Sequence, residues 1–425
     1  MRKISTLLLL VVGSLAFGQG GPNLTKEYAA VADKVIEWRR DIHQNPELSN
    51  REFKTAEKIA KHLSSLGIEV QTGVAHTGVV GVLKGKKTGK TIALRADIDA
   101  LPVLERNDLP FKSTVKADYK GEEVPVMHAC GHDTHVAILM GVAEVLSKNT
   151  DKIKGTVKFI FQPAEEGPPP GEEGGALLMV KEGVLQNPDV DAIFGLHINS
   201  QTPVGVIRYK SGGTMAAAQS FTINVKGKQS HGSQPWSGVD PILISAKIID
   251  GLQTIISRET KLTQEAAVIT VGKIASGVRF NIIPESAEMI GTIRTLDQGM
   301  KEHINRRMQE MVPAIAKAYN GEATIEIRDA TEITYNEPAL VEQMLPTMKR
   351  VAGEANVQTQ NAVTGAEDFS YYQKEVPGFF FFLGGMAPGT TESYPHHTPD
   401  FRIDDSGLQL GVKTLTEMSL DYLNK

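Results

Sequence analysis

Thr91-Ile92-Ala93-Leu94-Arg95-Ala96-Asp97-Ile98-Asp99-Ala100-Leu101-Pro102 begins as a short apolar run and ends in a charged segment. Later stretches repeat the plan. Thr156-Val157-Lys158-Phe159-Ile160-Phe161 leads into Gln162-Pro163-Ala164-Glu165-Glu166-Gly167, and Ala192-Ile193-Phe194-Gly195-Leu196 leads into His197. Gly378-Phe379-Phe380-Phe381-Phe382-Leu383 is followed, a dozen residues on, by His396-His397-Thr398-Pro399. Short apolar runs alternating with helical patterns are the signature of an α/β sheet with helices on its faces. In open sheets of that kind, ligands bind in the crevice at the carboxyl ends of the strands. The residues able to do chemistry stand where such a site is built.

The densest of them lie in Met127-His128-Ala129-Cys130-Gly131-His132-Asp133-Thr134-His135, which holds three histidines, an aspartate and the only cysteine of the chain. Val136, Leu139, Met140, Val142, Ala143 and Leu146 follow at helical spacing, so the stretch reads as a loop feeding a helix, with Asp133 or Thr134 as its cap. Cys130 and His132 point the same way only on an extended or irregular backbone. A thiolate and an imidazole there suit a transition metal, zinc above all. A lone cysteine or histidine is ordinarily structural; this density is not. With Glu165, Glu166, His197 and His397 the set is large enough for two metal ions. Adjacent glutamates are ordinarily solvated charges. This pair ends a strongly apolar strand, ahead of the stiff loop Gly167-Pro168-Pro169-Pro170-Gly171, which suits coordination by one and catalysis by the other. The second pair, Glu172-Glu173, reads as solvated.

A chain of 425 residues is expected to form two domains. Its 41% hydrophobic and 22% charged residues exclude a disordered or fibrous protein. The net charge of −5 does not point to nucleic acid. Residues 1–18 read as a signal peptide, with Arg2-Lys3, an apolar stretch from Leu7 to Phe17, and the small-x-small site Ala16-Phe17-Gly18. The apolar stretch is short for a membrane span. The expectation is an exported protein, periplasmic or secreted, free of the membrane once cleaved. A lone cysteine then makes no internal disulfide. Cys130 is either buried and inert or held as a metal thiolate, and its neighbours favour the second.

Leu24, Tyr28, Val31, Val35, Trp38 and Ile42 mark an amphipathic helix that ends at Asn45-Pro46. Phe53, Ala56, Ile59, Leu63 and Leu66 mark a second, stopped by Gly67. His43 and Glu47, flanking the proline turn, read as structural. Between Thr214 and Arg328 the pattern becomes a strand at Phe221–Val225, a helix from Pro241 to Ser257, strands at Val268–Val271 and Ala287–Ile293, a helix from Met300 to Tyr319, and a strand at Ala323–Ile327. That βαββαβ order is the ferredoxin-like unit. The expected organisation is a signal peptide at 1–18, a metal-binding α/β domain at 19–213 and 330–425, and an inserted α+β domain at 214–329.

In chain order, R-A-D-I-D-A-L-P, H-A-C-G-H-D-T-H, Q-P-A-E-E-G, G-L-H, the S-H-G-S-Q-P of Ser230 to Pro235, and H-T-P resemble the amidohydrolase branch of a co-catalytic metallopeptidase family. Its members include N-acyl-amino-acid amidohydrolases, hippurate hydrolase and plant hydrolases of auxin–amino acid conjugates. The resemblance runs from about Trp38 to Phe401. It implies an α/β domain with an inserted lid domain that forms a homodimer. It further implies two divalent metal ions bridged by Cys130, with His132, Glu166, His197 and His397 as the other ligands and Glu165 as general base. Zinc or manganese would serve, and cobalt or nickel would be accepted. Asp99 resembles the carboxylate that orients a ligating histidine, and His231 the lid histidine that stabilises the oxyanion, often from the partner subunit. Asn281 and Arg294 match lid positions that hold the substrate carboxylate. His397 is chosen over His396 because it directly precedes Thr398-Pro399. Pro168 to Pro170 depart from the family's usual glycine-rich stretch.

The implied activity is hydrolysis of N-acyl amino acids or related small amides by metal-activated water. A small-peptide carboxypeptidase or dipeptidase shares the same residues. Thiol catalysis by Cys130 leaves Glu165, Glu166, His197 and His397 without roles. A non-catalytic exported metal- or ligand-binding protein is the alternative from another class.

Overall fold

The computed structural model describes residues 23–390 and 392–425. The signal peptide read at 1–18 lies outside the described residues.

The first helix runs Thr25–Gln44 and buries Tyr28, Val31, Val35 and Ile42. The second, Phe53–Ser65, buries Ile59 and Leu63, and Gly67 beyond it takes φ +73°, a conformation that only glycine adopts without strain. Glu47 caps this helix, accepting from the backbone N–H groups of Lys54 at 3.1 Å and Thr55 at 2.8 Å.

The large sheet has eight strands in the order Glu69–Val74, Gly78–Lys84, Lys154–Gln162, Lys87–Asp97, Ala192–Pro203, Gly378–Met386, Ile207–Tyr209, Val357–Thr359. The four strands from Lys154–Gln162 to Gly378–Met386 are mutually parallel, and antiparallel pairs flank them on both sides. Side chains alternate between the two faces with the strand period of two. Leu94, Phe159, Phe194 and Phe381 pack into one core with Val35, Leu139 and Val412 of three covering helices. Ala93, Ile160, Ile193 and Phe380 face the other way, against Met179 and Tyr372. The helix His132–Ser147 is buried along almost its whole length.

Ala217–Lys226, Ala267–Ser276, Ser286–Thr295 and Glu322–Thr331 form a separate antiparallel sheet. The helices Pro241–Thr254 and Gln298–Ala318 close a core of its own around Phe221, Ile248, Ile269, Met289 and Met308. Counted along the chain, its strands lie in the order second, third, first, fourth, which is the ferredoxin-like arrangement. The chain enters and leaves this unit side by side, where Gly212–Met215 pairs with Thr334–Asn336.

One hairpin escapes the sequence reading. Lys116–Tyr119 pairs with Glu122–Pro125 across a turn at Lys120 and Gly121, both with positive φ. Its strands are too short and too charged to give an alternating signal.

Candidate metal centre

Three of the parallel strands deliver chemistry at their carboxyl ends: Asp97 and Asp99 follow one, Glu165 and Glu166 another, and His197 lies on the third. The cysteine loop enters beside them. At Gly131 φ is +99°, and a Cβ would stand 2.3 Å from Ile198 Cγ2, so only glycine fits between Cys130 and the helix that begins at His132. That sharp turn is the irregular backbone that aims Cys130 and His132 at one place.

Cys130 Sγ lies 3.4 Å from His197 Nε2 and 3.3 Å from His397 Nε2. His397 Nε2 is 3.1 Å from Glu166 Oε1. His132 Nε2 stands 3.8 Å from Glu165 Oε2 and 4.0 Å from Glu166 Oε1. Two triads result, Cys130 with His132 and His197, and Cys130 with Glu166 and His397, each with ligand atoms mutually within 4.8 Å. Cys130 belongs to both. His396 is engaged otherwise: Nδ1–H donates to the Cys130 carbonyl at 3.0 Å and Nε2 accepts from Ser200 N at 3.3 Å.

Around the triads lies a buried charged scaffold. The Nδ1–H of His132 points at the carbonyl and the carboxylate of Asp99, 2.9 and 3.2 Å away. The same carboxylate accepts the backbone N–H groups of Glu165 at 3.1 Å and Glu166 at 3.0 Å, and the Ser49 hydroxyl at 2.7 Å. Asp97 accepts from His135 Nδ1 at 2.5 Å, and His135 Nε2 accepts from Ile198 N at 2.8 Å, which fixes its tautomer. Arg95, fully buried, reaches Asp97 at 2.6 Å, Asp368 at 2.8 Å and Glu367 at 3.0 Å. Ala164 sits at φ +52°, costly for a residue with a Cβ. Its N–H is held by Glu52 at 3.0 Å, and burial together with the Asp99 charge pushes the Glu52 carboxyl up to about 8.

The protein's own charges leave this cluster short of positive charge. Burial, then Glu166 and Glu165, push the Cys130 thiol well above its usual range. Burial, then Glu367 and Glu166, do the same to Glu165. Burial and His135 keep His197 neutral. Burial opposes a charge on His132 as well, yet Asp97 and Asp99 raise it to about 10. The buried His132 Nε2 has no hydrogen-bond partner. The Nδ1 atoms of His132 and His197 are spent on Asp99 and on the Ile198 carbonyl, 2.6 Å away, so their Nε2 atoms are free to ligate. A thiolate, imidazoles and carboxylates fit a borderline divalent cation, which supplies the missing charge and allows Cys130 to ionise.

One expectation needs correction. Neither Asp133 nor Thr134 caps the helix, because it starts one residue earlier, at His132, with Gly131 before it. Asp133 instead pairs with Arg39 at 2.8 Å and His43 at 2.9 Å, tying the cysteine loop to the first helix. Glu172, partly exposed as expected, is not a free charge. It accepts from Arg51 at 2.6 and 3.1 Å and from Asn50 at 3.0 Å, and these bonds hold its carboxyl down to about 2. Glu173 is exposed and pairs with Lys181 at 2.6 Å.

The lid residues stand apart from the cluster. His231 is exposed and its Nδ1 meets only Ser233, whose hydroxyl is 2.7 Å away. The Asn281 carbonyl accepts from Gly232 N at 2.8 Å, which places it beside the His231 segment. Arg294 bonds within its own strand, to Thr292 at 2.5 Å. Sequence reading missed Arg95, Asp97, His135, Glu52, Glu367 and Asp368. The first three lie inside the quoted motifs, and the strand period that carries Arg95, Asp97 and Asp99 on one face would have found two of them. Glu367 and Asp368 carry no such signal.

A family model described as Peptidase family M20/M25/M40 matches residues 93–421. The thermostable carboxypeptidase 2 of Saccharolobus solfataricus is 42% identical over 95% of this chain and 98% of that protein. The N-acetylcysteine deacetylase of Bacillus subtilis is 37% identical, over 92% of this chain and 97% of that protein. Among solved structures, the Bacillus subtilis YXEP protein, described as a dinuclear metal binding peptidase, superposes with a TM-score of 0.77 at 34% identity, covering 93% of this chain and 99% of its own.

Proposed function

The chain belongs to peptidase family M20/M25/M40 and is a metal-dependent hydrolase of amide bonds, and on that premise we propose that it cleaves N-acyl amino acids to a carboxylate and a free amino acid, with Glu165 as general base. The observation that carries this reading is the convergence of Cys130, His197 and His397 beside two buried glutamates.

Cys130, common to both triads, would bridge two divalent ions, with His132, His197, Glu166 and His397 as the remaining ligands. Zinc or manganese suits this set, and cobalt or nickel is compatible with it. When bound, such ions acidify water and polarise the amide carbonyl. Glu165, held against Asp99 by its backbone N–H, takes the proton of the attacking water and returns it to the departing amine, which cannot leave as an anion. His231 donates to the carbonyl oxygen as charge develops there, and Asn281 and Arg294 hold the substrate carboxylate. Because His231 is exposed and bonded only to Ser233, it is free to be delivered by closure of the ferredoxin-like unit or by a second subunit. We read that unit as a lid and as the surface of a homodimer, and the chain as exported to the periplasm or beyond.

A small-peptide carboxypeptidase is the second reading, favoured by relatives of that name at 42% and 41% identity. The test is release of free amino acid from N-acetyl, N-benzoyl and dipeptide substrates, by metal-stripped protein and after zinc or manganese is restored. Hydrolysis lost on stripping and regained with metal is expected for the acyl substrates. Cleavage of dipeptides alone would favour the peptidase.

A further inference from the structure

Beside the metal centre lies a cavity of about 410 Å³. Four segments wall it: the turn from Leu48 to Phe53, the stretch from Ala100 to Pro102, the hairpin at Ala117 to Lys120, and the proline loop through Pro169 and Pro170. Glu166 also lines it, so an occupant is continuous with whatever sits at the metal centre.

Its character is apolar. Leu48, Phe53, Leu101, Pro102, Tyr119 and Pro169 supply much of the wall. The charged side chains at its rim, Arg51, Asp118 and Lys120, are exposed to solvent. Arg51 holds both carboxylate oxygens of Glu172. Lys120 Nζ lies over the Tyr119 ring, 4.9 Å from its centre, Asp118 accepts from Gly121 N at 3.3 Å, and the Ser49 hydroxyl is given to Asp99.

The cavity is also built in advance. Consecutive prolines have fixed φ and little freedom to collapse inward. The Arg51–Glu172 and Asn50–Glu172 bonds pin the loop that carries them to the opposite wall. The wall therefore includes Pro169 and Pro170 of the insertion, tied to the turn opposite through Glu172, which does not itself line the cavity. About 410 Å³ falls among small-molecule sites, which span roughly 300–1,000 Å³. An acetyl group would leave most of it empty.

We propose that this cavity is the acyl subsite, and that it selects N-acyl amino acids whose acyl group is bulky and apolar, aromatic or medium-chain, over N-acetyl amino acids. The inference rests on the reading of the chain as an N-acyl-amino-acid hydrolase. On that reading Asn281 and Arg294 hold the carboxylate from the lid, and every residue lining the cavity belongs to the α/β domain, so the acyl end falls on the α/β side.

The test uses metal-loaded protein and the N-acetyl, N-benzoyl and N-octanoyl derivatives of one amino acid. The wild type should favour both bulky substrates over N-acetyl by at least tenfold in kcat/KM, as apolar pocket contacts allow. Ala117→Phe, which fills the cavity from the hairpin, should cut that ratio tenfold or more. Phe53→Ala, at an exposed position that folding tolerates, should lower it through KM. Hydrolysis of all three substrates with no bulky-acyl preference, or with an unchanged ratio in both variants, overturns the proposal alone. No hydrolysis of any of the three, with dipeptides cleaved, overturns the acyl-amino-acid reading and the proposal with it.

Discussion

Asp99 and His132 meet at the floor of the metal centre, the carboxylate Oδ1 3.2 Å and the backbone carbonyl 2.9 Å from the same ring nitrogen. That carboxylate also accepts the N–H groups of Glu165 and Glu166 and the Ser49 hydroxyl. One side chain thus sets the tautomer of His132, a candidate ligand, and the position of both glutamates, joining the loops after two parallel strands.

Asp99→Asn should therefore loosen the site while leaving its ligands in place. Loss of a partner behind a ligating histidine ordinarily costs about 10–100-fold in metal affinity. Competition against a chromogenic chelator measures it. Unchanged affinity would mean that the backbone carbonyl of Asp99 suffices.

Glu165→Gln should reduce kcat by about 10²–10⁴-fold, the usual contribution of a general acid–base group. Metal content, read by elemental analysis, should stay at the wild-type level. Retained turnover would exclude Glu165 as the base.

Arg95 is the only arginine or lysine paired with the buried acids Asp97, Glu367 and Asp368 among the described residues. Arg95→Met leaves Glu367 and Asp368 without a paired cation, while Asp97 keeps His135, and breaking such a buried pair costs about 3–5 kcal/mol. Urea unfolding should show a midpoint shift of that order. A shift under about 1 kcal/mol would show that the acids rearrange or protonate at little cost, against the usual penalty for an unpaired buried charge.

His62 donates to the Met140 carbonyl at 3.1 Å and stacks edge-on against Trp38 at 4.6 Å. Burial holds its imidazole below the usual value of 6.5. The unfolded chain then binds a proton that the folded protein refuses, so the stability due to this group is present above about pH 6.5 and is lost as pH falls through the folded value. Thermal midpoints between pH 7 and pH 5 should fall less steeply in His62→Gln than in the wild type. Parallel curves would place the acid sensitivity elsewhere.

Much of the site was legible because it is carried by short segments. The H-A-C-G-H-D-T-H loop and the Q-P-A-E-E-G turn each place their candidate ligands within a few residues, and a turn is a local property of the chain. His396 and His397 show the limit. Both flank the same turn, and only the packed structure spends both nitrogens of His396 on Cys130 and Ser200 and leaves His397 Nε2 beside the thiol.

By itself the sequence determined the α/β class and the βαββαβ order, and it named the residues that the fold brings together around Cys130, because periodicity and turn chemistry act over a few residues. The long-range pairings were decided by the tertiary structure alone. Arg95 meets Glu367 and Asp368 across more than 270 positions, and Glu172 meets Arg51 across 121. Strand order and burial choose such partners, and neither is written in local spacing. The same physics turned an apparently solvated glutamate into the pin that holds the proline loop against the cavity beside Glu166.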